Sequence, residues 1–147
     1  MSNQEYLTNE QYMNKSKWRE GEWLDEPDVV TWVSHGLECM IVRRSTGALC
    51  GYVAIPESND LYGVHYMDED SYSLSPHGGI TYSENSHPLK TKLCTEWWFG
   101  FDCAHGGDHC PAYHRGYPTD VYRNLSYVTA QVNDLAYNLA QHNGETP

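Results

Sequence analysis

Leu125, Val128, Val132, Leu135 and Leu139 recur at intervals of 3, 4, 3 and 4. That spacing lines one face of a helix, while Gln131, Asn133, Asp134 and Asn138 between them are polar. It predicts a helix over about 126–141, with Ser126 or Asn124 as N-cap and Gly144 beyond its end. A helix with one apolar face must bury it, so a second layer is needed.

Upstream the apolar residues come in short runs. Val29-Val30-Thr31-Trp32-Val33 stops at Ser34-His35-Gly36, and Glu38-Cys39-Met40-Ile41-Val42-Arg43-Arg44 stops at Ser45-Thr46-Gly47. Leu49-Cys50-Gly51-Tyr52-Val53-Ala54-Ile55 stops at Pro56. Runs of β-formers joined by short, glycine-containing turns predict an antiparallel meander. Residues 56–76 read as a long loop with the acidic run Asp68-Glu69-Asp70. Ile80-Thr81-Tyr82-Ser83 reads as a short strand, residues 84–95 as another loop, and Trp97-Trp98-Phe99-Gly100-Phe101 as a buried strand. The expected fold is therefore α+β, with a mainly antiparallel sheet of about five strands and one long C-terminal helix packed on it. Residues 27–147 form that single domain. Residues 1–26 are polar and acidic and read as an N-terminal arm, lying on the domain or on a neighbouring subunit. In the arm Thr8 and Gln11 fit a capping box, and Trp18 and Trp23 need somewhere to pack.

Charge narrows the partners. The chain carries a net charge of −11, with 13 acidic against 5 basic residues in 1–70 and 7 against 4 in 71–147. A basic nucleic-acid-binding face is excluded as a general property, and the less acidic half keeps room for an anionic ligand. The 12 tyrosines and 5 tryptophans suit a β-rich core or stacking on a planar ligand. Five cysteines without a C-x-x-C pair, no apolar leader and no run of roughly 20 apolar residues predict free thiols in a reducing cytoplasm and no membrane partner.

Candidate chemistry sits where the buried strand gives way to Asp102-Cys103-Ala104-His105-Gly106-Gly107-Asp108-His109-Cys110-Pro111. Glycine pairs beside histidines occur twice, as His77-Gly78-Gly79 and His105-Gly106-Gly107. Asp102 can orient His105 and leave its second ring nitrogen as a general base or phosphate donor, with His77 beside it. The glycines Gly78, Gly79, Gly106 and Gly107 allow close approach of an anion to the main chain. Asp108 and Arg115 complete the ligand set, Arg115 as a phosphate clamp. Arg123 is read instead as the partner of Asp102 or Asp108. No cofactor is required by this reading. If a divalent metal is held, its ligands are His77, Asp102, His105 and Asp108. Strand alternation turns Cys103 inward, and His35, His65, His87 and His142 read as turn or surface residues.

Ala48-Leu49-Cys50-Gly51-Tyr52-Val53, His77-Gly78-Gly79-Ile80-Thr81-Tyr82, Trp97-Trp98-Phe99-Gly100-Phe101-Asp102-Cys103-Ala104-His105 with Gly107-Asp108, and Tyr122-Arg123-x-Leu125-x-Tyr127-Val128 together resemble a family of small uncharacterised proteins of bacteriophages, prophages and plasmids. The resemblance spans about residues 27–141. Such sequences tend to read Gly-His-Pro-Leu-Tyr-Gly where this chain has Ser58-Asn59-Asp60-Leu61-Tyr62-Gly63, so no histidine acts there. The resemblance implies a genetic setting, the cytoplasm of a bacterial host. The expected function is a phage accessory protein that counters host defence by binding, or hydrolysing, a nucleotide-type signalling molecule, cyclic nucleotides included. Two alternatives stand beside it. One is an acidic interaction protein that blocks a host nucleic-acid-binding or defence protein, and the other is a metal-dependent phosphoesterase. A homo-oligomer is compatible with each.

Overall fold

The computed structural model describes residues 9–10, 13–89, 93–113 and 116–143. Thr8, Gln11 and Gly144 lie outside them, and so does Arg115. The strands are β1 (Asn9–Glu10), β2 (Val29–Ser34), β3 (Leu37–Arg43), β4 (Leu49–Ile55), β5 (Tyr82–Ser86) and β6 (Leu93–Asp102), followed by the helix α1 (Leu125–Ala140). They form one sheet in the order β1-β2-β3-β4-β6-β5, antiparallel at each pairing. Five strands have five or more residues, and the two-residue β1 extends the edge beside β2.

The meander forms for local reasons. His35 and Gly36 both have positive φ, 52° and 77°, the two-residue turn whose twist matches the flanking strands. The sheet is apolar on both faces. On one face Val30, Trp32, Ile41, Leu49, Val53, Phe99 and Phe101 form the main core with Val128, Val132, Leu135 and Leu139 of the helix. Met40, Val42, Tyr52, Ala54 and Trp98 form a smaller cluster on the other. Leu61 and Leu74 anchor the 56–76 loop into the main core. The helix starts at Asn124, whose side chain accepts from the Tyr127 N–H at 2.8 Å, and lies across β4, β3 and β2. It passes so close to β4 that a Cβ on Gly51 would sit 2.5 Å from Val132 Cγ2.

Several readings of the pattern are corrected. Residues 84–95 are not one loop: β5 runs to Ser86 and β6 begins at Leu93, pairing Ser86 with Leu93. The strand expected at Ile80 starts at Tyr82. The helix begins one residue earlier, at Leu125, which is only half-buried. His87 is buried, its ring edge-on to Trp98 at 5.4 Å. Asn59 is buried and donates to the Leu139 carbonyl at 2.9 Å. It closes the end of the helix.

The arm is tied down by charge. Asp28 and Arg43, both side chains wholly out of solvent, pair at 2.6 Å, and Lys15 reaches Asp28 at 3.0 Å. Glu26 accepts from the Tyr122 hydroxyl at 2.5 Å and from the Leu125 N–H at 2.7 Å, which fixes the first turn of the helix. Trp23 packs on Tyr122 and His109.

The five cysteines are all free thiols. Burial pushes Cys39 up to about 12 and Cys50 up to about 11, and it raises Cys103 as well. A thiolate reagent at pH 8 is therefore expected to label Cys94 and, more slowly, Cys110 in the native protein, with all five reacting after denaturation. Mass spectrometry of the labelled protein checks this; native labelling of Cys39 or Cys103 contradicts the packing. No helix among the described residues is long and apolar enough to cross a membrane.

Candidate functional site

Because β5 and β6 are antiparallel neighbours, the chain enters β5 at the end of the sheet where it leaves β6. Thr81 N–H donates to the Gly100 carbonyl at 2.9 Å and Tyr82 is opposite Gly100, so residues 77–81 run beside residues 100–105. This brings two histidines together. The rings of His77 and His105 lie 6.0 Å apart between centroids, edge to face. Gly78 makes this possible: it has φ 71°, and a Cβ there would lie 2.4 Å from the His105 ring. Only glycine fits under that imidazole.

Asp108 is the centre of the arrangement. It is buried, and His77 Nε2 meets both its carboxylate oxygens at 3.0 and 2.8 Å. Arg123 Nε donates to its Oδ1 at 3.0 Å and the His105 N–H to its Oδ2 at 3.1 Å. Burial alone would raise its pKa, but the hydrogen bonds from His77, Arg123 and His105 outweigh that and hold the carboxyl below its usual value. The loop itself is pinned by Val121 N–H to the Gly107 carbonyl at 2.8 Å and His109 N–H to the Val121 carbonyl at 2.9 Å.

His77 has both ring nitrogens engaged. Nδ1 lies 2.8 Å from the Tyr127 hydroxyl, and an ionised Asp108 requires the proton on Nε2, so neutral His77 accepts from Tyr127. Its backbone N–H donates to Gln131 Oε1 at 2.8 Å. His105 differs. Its side chain is 35% exposed against 14% for His77. Its Nδ1 is buried without a hydrogen bond among the described residues, although Asp102 Oδ1 is 3.3 Å away and Asp108 Oδ2 is 3.7 Å away. Asp102, half-buried at the end of β6, accepts instead from the Ala104 N–H at 3.0 Å and Thr81 Oγ1 at 3.3 Å.

The four polar candidates thus meet at one end of the sheet. Gly79 donates its N–H to the Pro76 carbonyl at 2.8 Å, making a turn, while Gly79, Gly106 and Gly107 have open space where a side chain would project. Cys103 is buried in the core. Sequence reasoning missed Tyr127 and Gln131. They are four apart on the helix, beside its apolar stripe, and that stripe of hydrogen-bonding residues is the signal that points to them.

Cavities also open along the helix, one of them beside Gln131. One of about 590 Å³ is lined by Glu22, Asp25, Glu26, Asn124, Thr129 and Asn133 among others. A second, of about 290 Å³, is lined by Ser75, Pro76, Gln131, Asp134, Tyr137 and others.

No protein-family model, curated protein or solved structure matches this chain.

Proposed function

We propose that the chain binds a small phosphorylated ligand of nucleotide type at the His77–His105–Asp108 cluster, and that hydrolysis is the reaction this cluster suits. The observation that carries the reading is His105. It is an imidazole left partly exposed while Asp102 and Asp108 flank its inner nitrogen. An imidazole so placed shuttles a proton at its outer nitrogen or donates to a phosphate oxygen. The open glycine backbone on both sides lets a ligand come close. Arg123 offsets the charge of Asp108, and screening over roughly 8–10 Å lets the local field differ from that of the whole chain. The resemblance to phage-borne proteins supplies a setting: an accessory protein that captures or destroys a nucleotide messenger of host defence in the host cytoplasm.

The test is a comparison of the wild-type protein with His105→Ala against a panel of linear and cyclic nucleotides. Wild type is expected to retain or cleave at least one of them, and the variant to lose this about tenfold or more. Its unfolding midpoint should change little, because the side chain is a third exposed. Equal binding by the two proteins removes His105 from the site, and no binding by wild type removes the nucleotide reading.

A second reading rests on the 590 Å³ groove, where Glu22, Asp25 and Glu26 line a surface that shares no residue with the histidine cluster. It is an acidic interaction face that competes for a host nucleic-acid-binding protein. Reversing two of its charges, Glu22→Lys with Asp25→Lys, separates the readings: partner binding is lost and nucleotide binding is retained.

A further inference from the structure

We infer that His77, His105 and Asp108 form a three-ligand site for a borderline divalent transition-metal ion, of which Zn²⁺ is the type. One ligand atom from each of the three lies within 4.8 Å of the others. Four ligands about 2.0–2.1 Å from a tetrahedral zinc are roughly 3.4 Å apart. The measured separations bracket that value: His77 Nε2 is 2.8 Å and His105 Nδ1 is 3.7 Å from Asp108 Oδ2. The third separation, between the two imidazoles, lies within 4.8 Å, so side-chain adjustment about the ion completes the set.

The second, independent observation is the buried His105 Nδ1, which has no hydrogen bond among the described residues although two carboxylates stand within 3.7 Å. A buried ring nitrogen left without a partner is costly. A cation at the centre of the cluster gives it one and relieves the crowding of two imidazoles and a carboxylate.

The surroundings fit as well. A metal-ligating histidine usually has its other nitrogen hydrogen-bonded and a ligating carboxylate has its spare oxygen held. His77 Nδ1 is on the Tyr127 hydroxyl at 2.8 Å, and Asp108 Oδ1 is on Arg123 at 3.0 Å. Metal binding at His77 Nε2 requires the other neutral tautomer: the ring's one proton moves from Nε2 to Nδ1 by exchange with solvent, with no net release. The Tyr127 hydroxyl, donor or acceptor, accepts from Nδ1 in the reversed tautomer. Two nitrogens and one oxygen favour zinc over magnesium, which prefers oxygen ligands in an octahedron. Asp102 is outside the three-residue group and flanks His105 Nδ1 at 3.3 Å. Three protein ligands leave a coordination position for water, on the side where His105 is exposed and the glycine loops are open. A bridging cation also answers how a phosphorylated ligand approaches two carboxylates.

The experiment uses the untagged full chain, stripped with chelator and titrated calorimetrically with ZnSO₄ alone, then with MgCl₂. Wild type is expected to take one zinc per chain and no magnesium at the same concentrations. His105→Gln is expected to lower zinc affinity more than tenfold, and Tyr127→Phe to lower it less. Asp108→Asn is expected to abolish binding, but Asp108 is buried and that variant is read only if its circular dichroism is native. His105→Gln, at a partly exposed position, keeps the test decisive. No stoichiometric zinc on wild type overturns the inference, as does equal affinity of wild type and His105→Gln, which would place the metal on Cys94 or Cys110. The nucleotide panel run in chelator is a separate readout. Retention of nucleotide in chelator together with no zinc uptake in the titration leaves the proposed function standing while the metal site fails, and zinc binding without any nucleotide response does the reverse.

Discussion

Replacing Asp28 with alanine is expected to lower the free energy of unfolding by about 3–5 kcal/mol. Asp28 answers two cations, Arg43 at 2.6 Å and Lys15 at 3.0 Å, with its own side chain fully enclosed. It also accepts from the Met13 N–H at 2.9 Å. Removing it takes the nearest carboxylate from an Arg43 guanidinium that lies out of solvent, with Glu26 farther off at 3.4 Å, and breaking a buried ion pair costs far more than losing a surface one. Against a typical domain stability of about 5–15 kcal/mol this is a large fraction. Denaturant melts measure it. Pairing the change with Arg43→Met should recover part of the loss, because the charges are then removed together. A loss below about 1 kcal/mol would show that the network holds nothing.

The second large effect is expected at Val132. It is fully buried, at the middle of the helix face, and its Cγ2 points at Gly51 of β4. Val132→Asp puts a carboxylate into a contact with no room for water and no partner, a cost of several kcal/mol. The measurable outcome is a fall of roughly ten degrees or more in the thermal midpoint, or loss of the folded state. An unchanged midpoint would mean that the helix does not lie on the sheet as described. The smaller change Gly51→Ala probes the same contact from the strand side.

The parts of the fold that could be read in advance are those where local pattern and tertiary burial agree. The 3, 4, 3, 4 spacing from Leu125 to Leu139 gave the helix to within one residue at each end. The runs of valine, isoleucine and leucine gave β2, β3 and β4. The full extent of the β5–β6 hairpin, from Ser83 to Trp97, was hidden for a physical reason. Tyr82-Ser83-Glu84-Asn85-Ser86 has weak strand propensity, and β5 is an edge strand held by its pairing with β6. The N-terminal part of β6, Leu93-Cys94-Thr95-Glu96, lacks the run of aromatics that marks its second half. The site was legible where histidine and glycine are adjacent in sequence. It was illegible where the helix contributes, because Tyr127 and Gln131 look like ordinary polar-flank residues until the hairpin is folded against them. Arg123 was legible as the partner of a carboxylate, and its contact is with Asp108 rather than Asp102.

The helix covers the sheet, and it is also made after it. As the chain leaves the ribosome, Trp32, Ile41, Val53 and Phe99 emerge long before Val128 to Leu139 can shield them. Vectorial synthesis, which favours folding of early segments, therefore exposes an uncovered apolar sheet for the time needed to add the residues from Phe101 to Leu139. Glu26 is in the same position, since its hydrogen-bond partners Tyr122 and Leu125 are 96 and 99 residues downstream. Until the helix segment has emerged the apolar face stays uncovered, and any ribosomal stall after β6 leaves a sticky, half-covered intermediate.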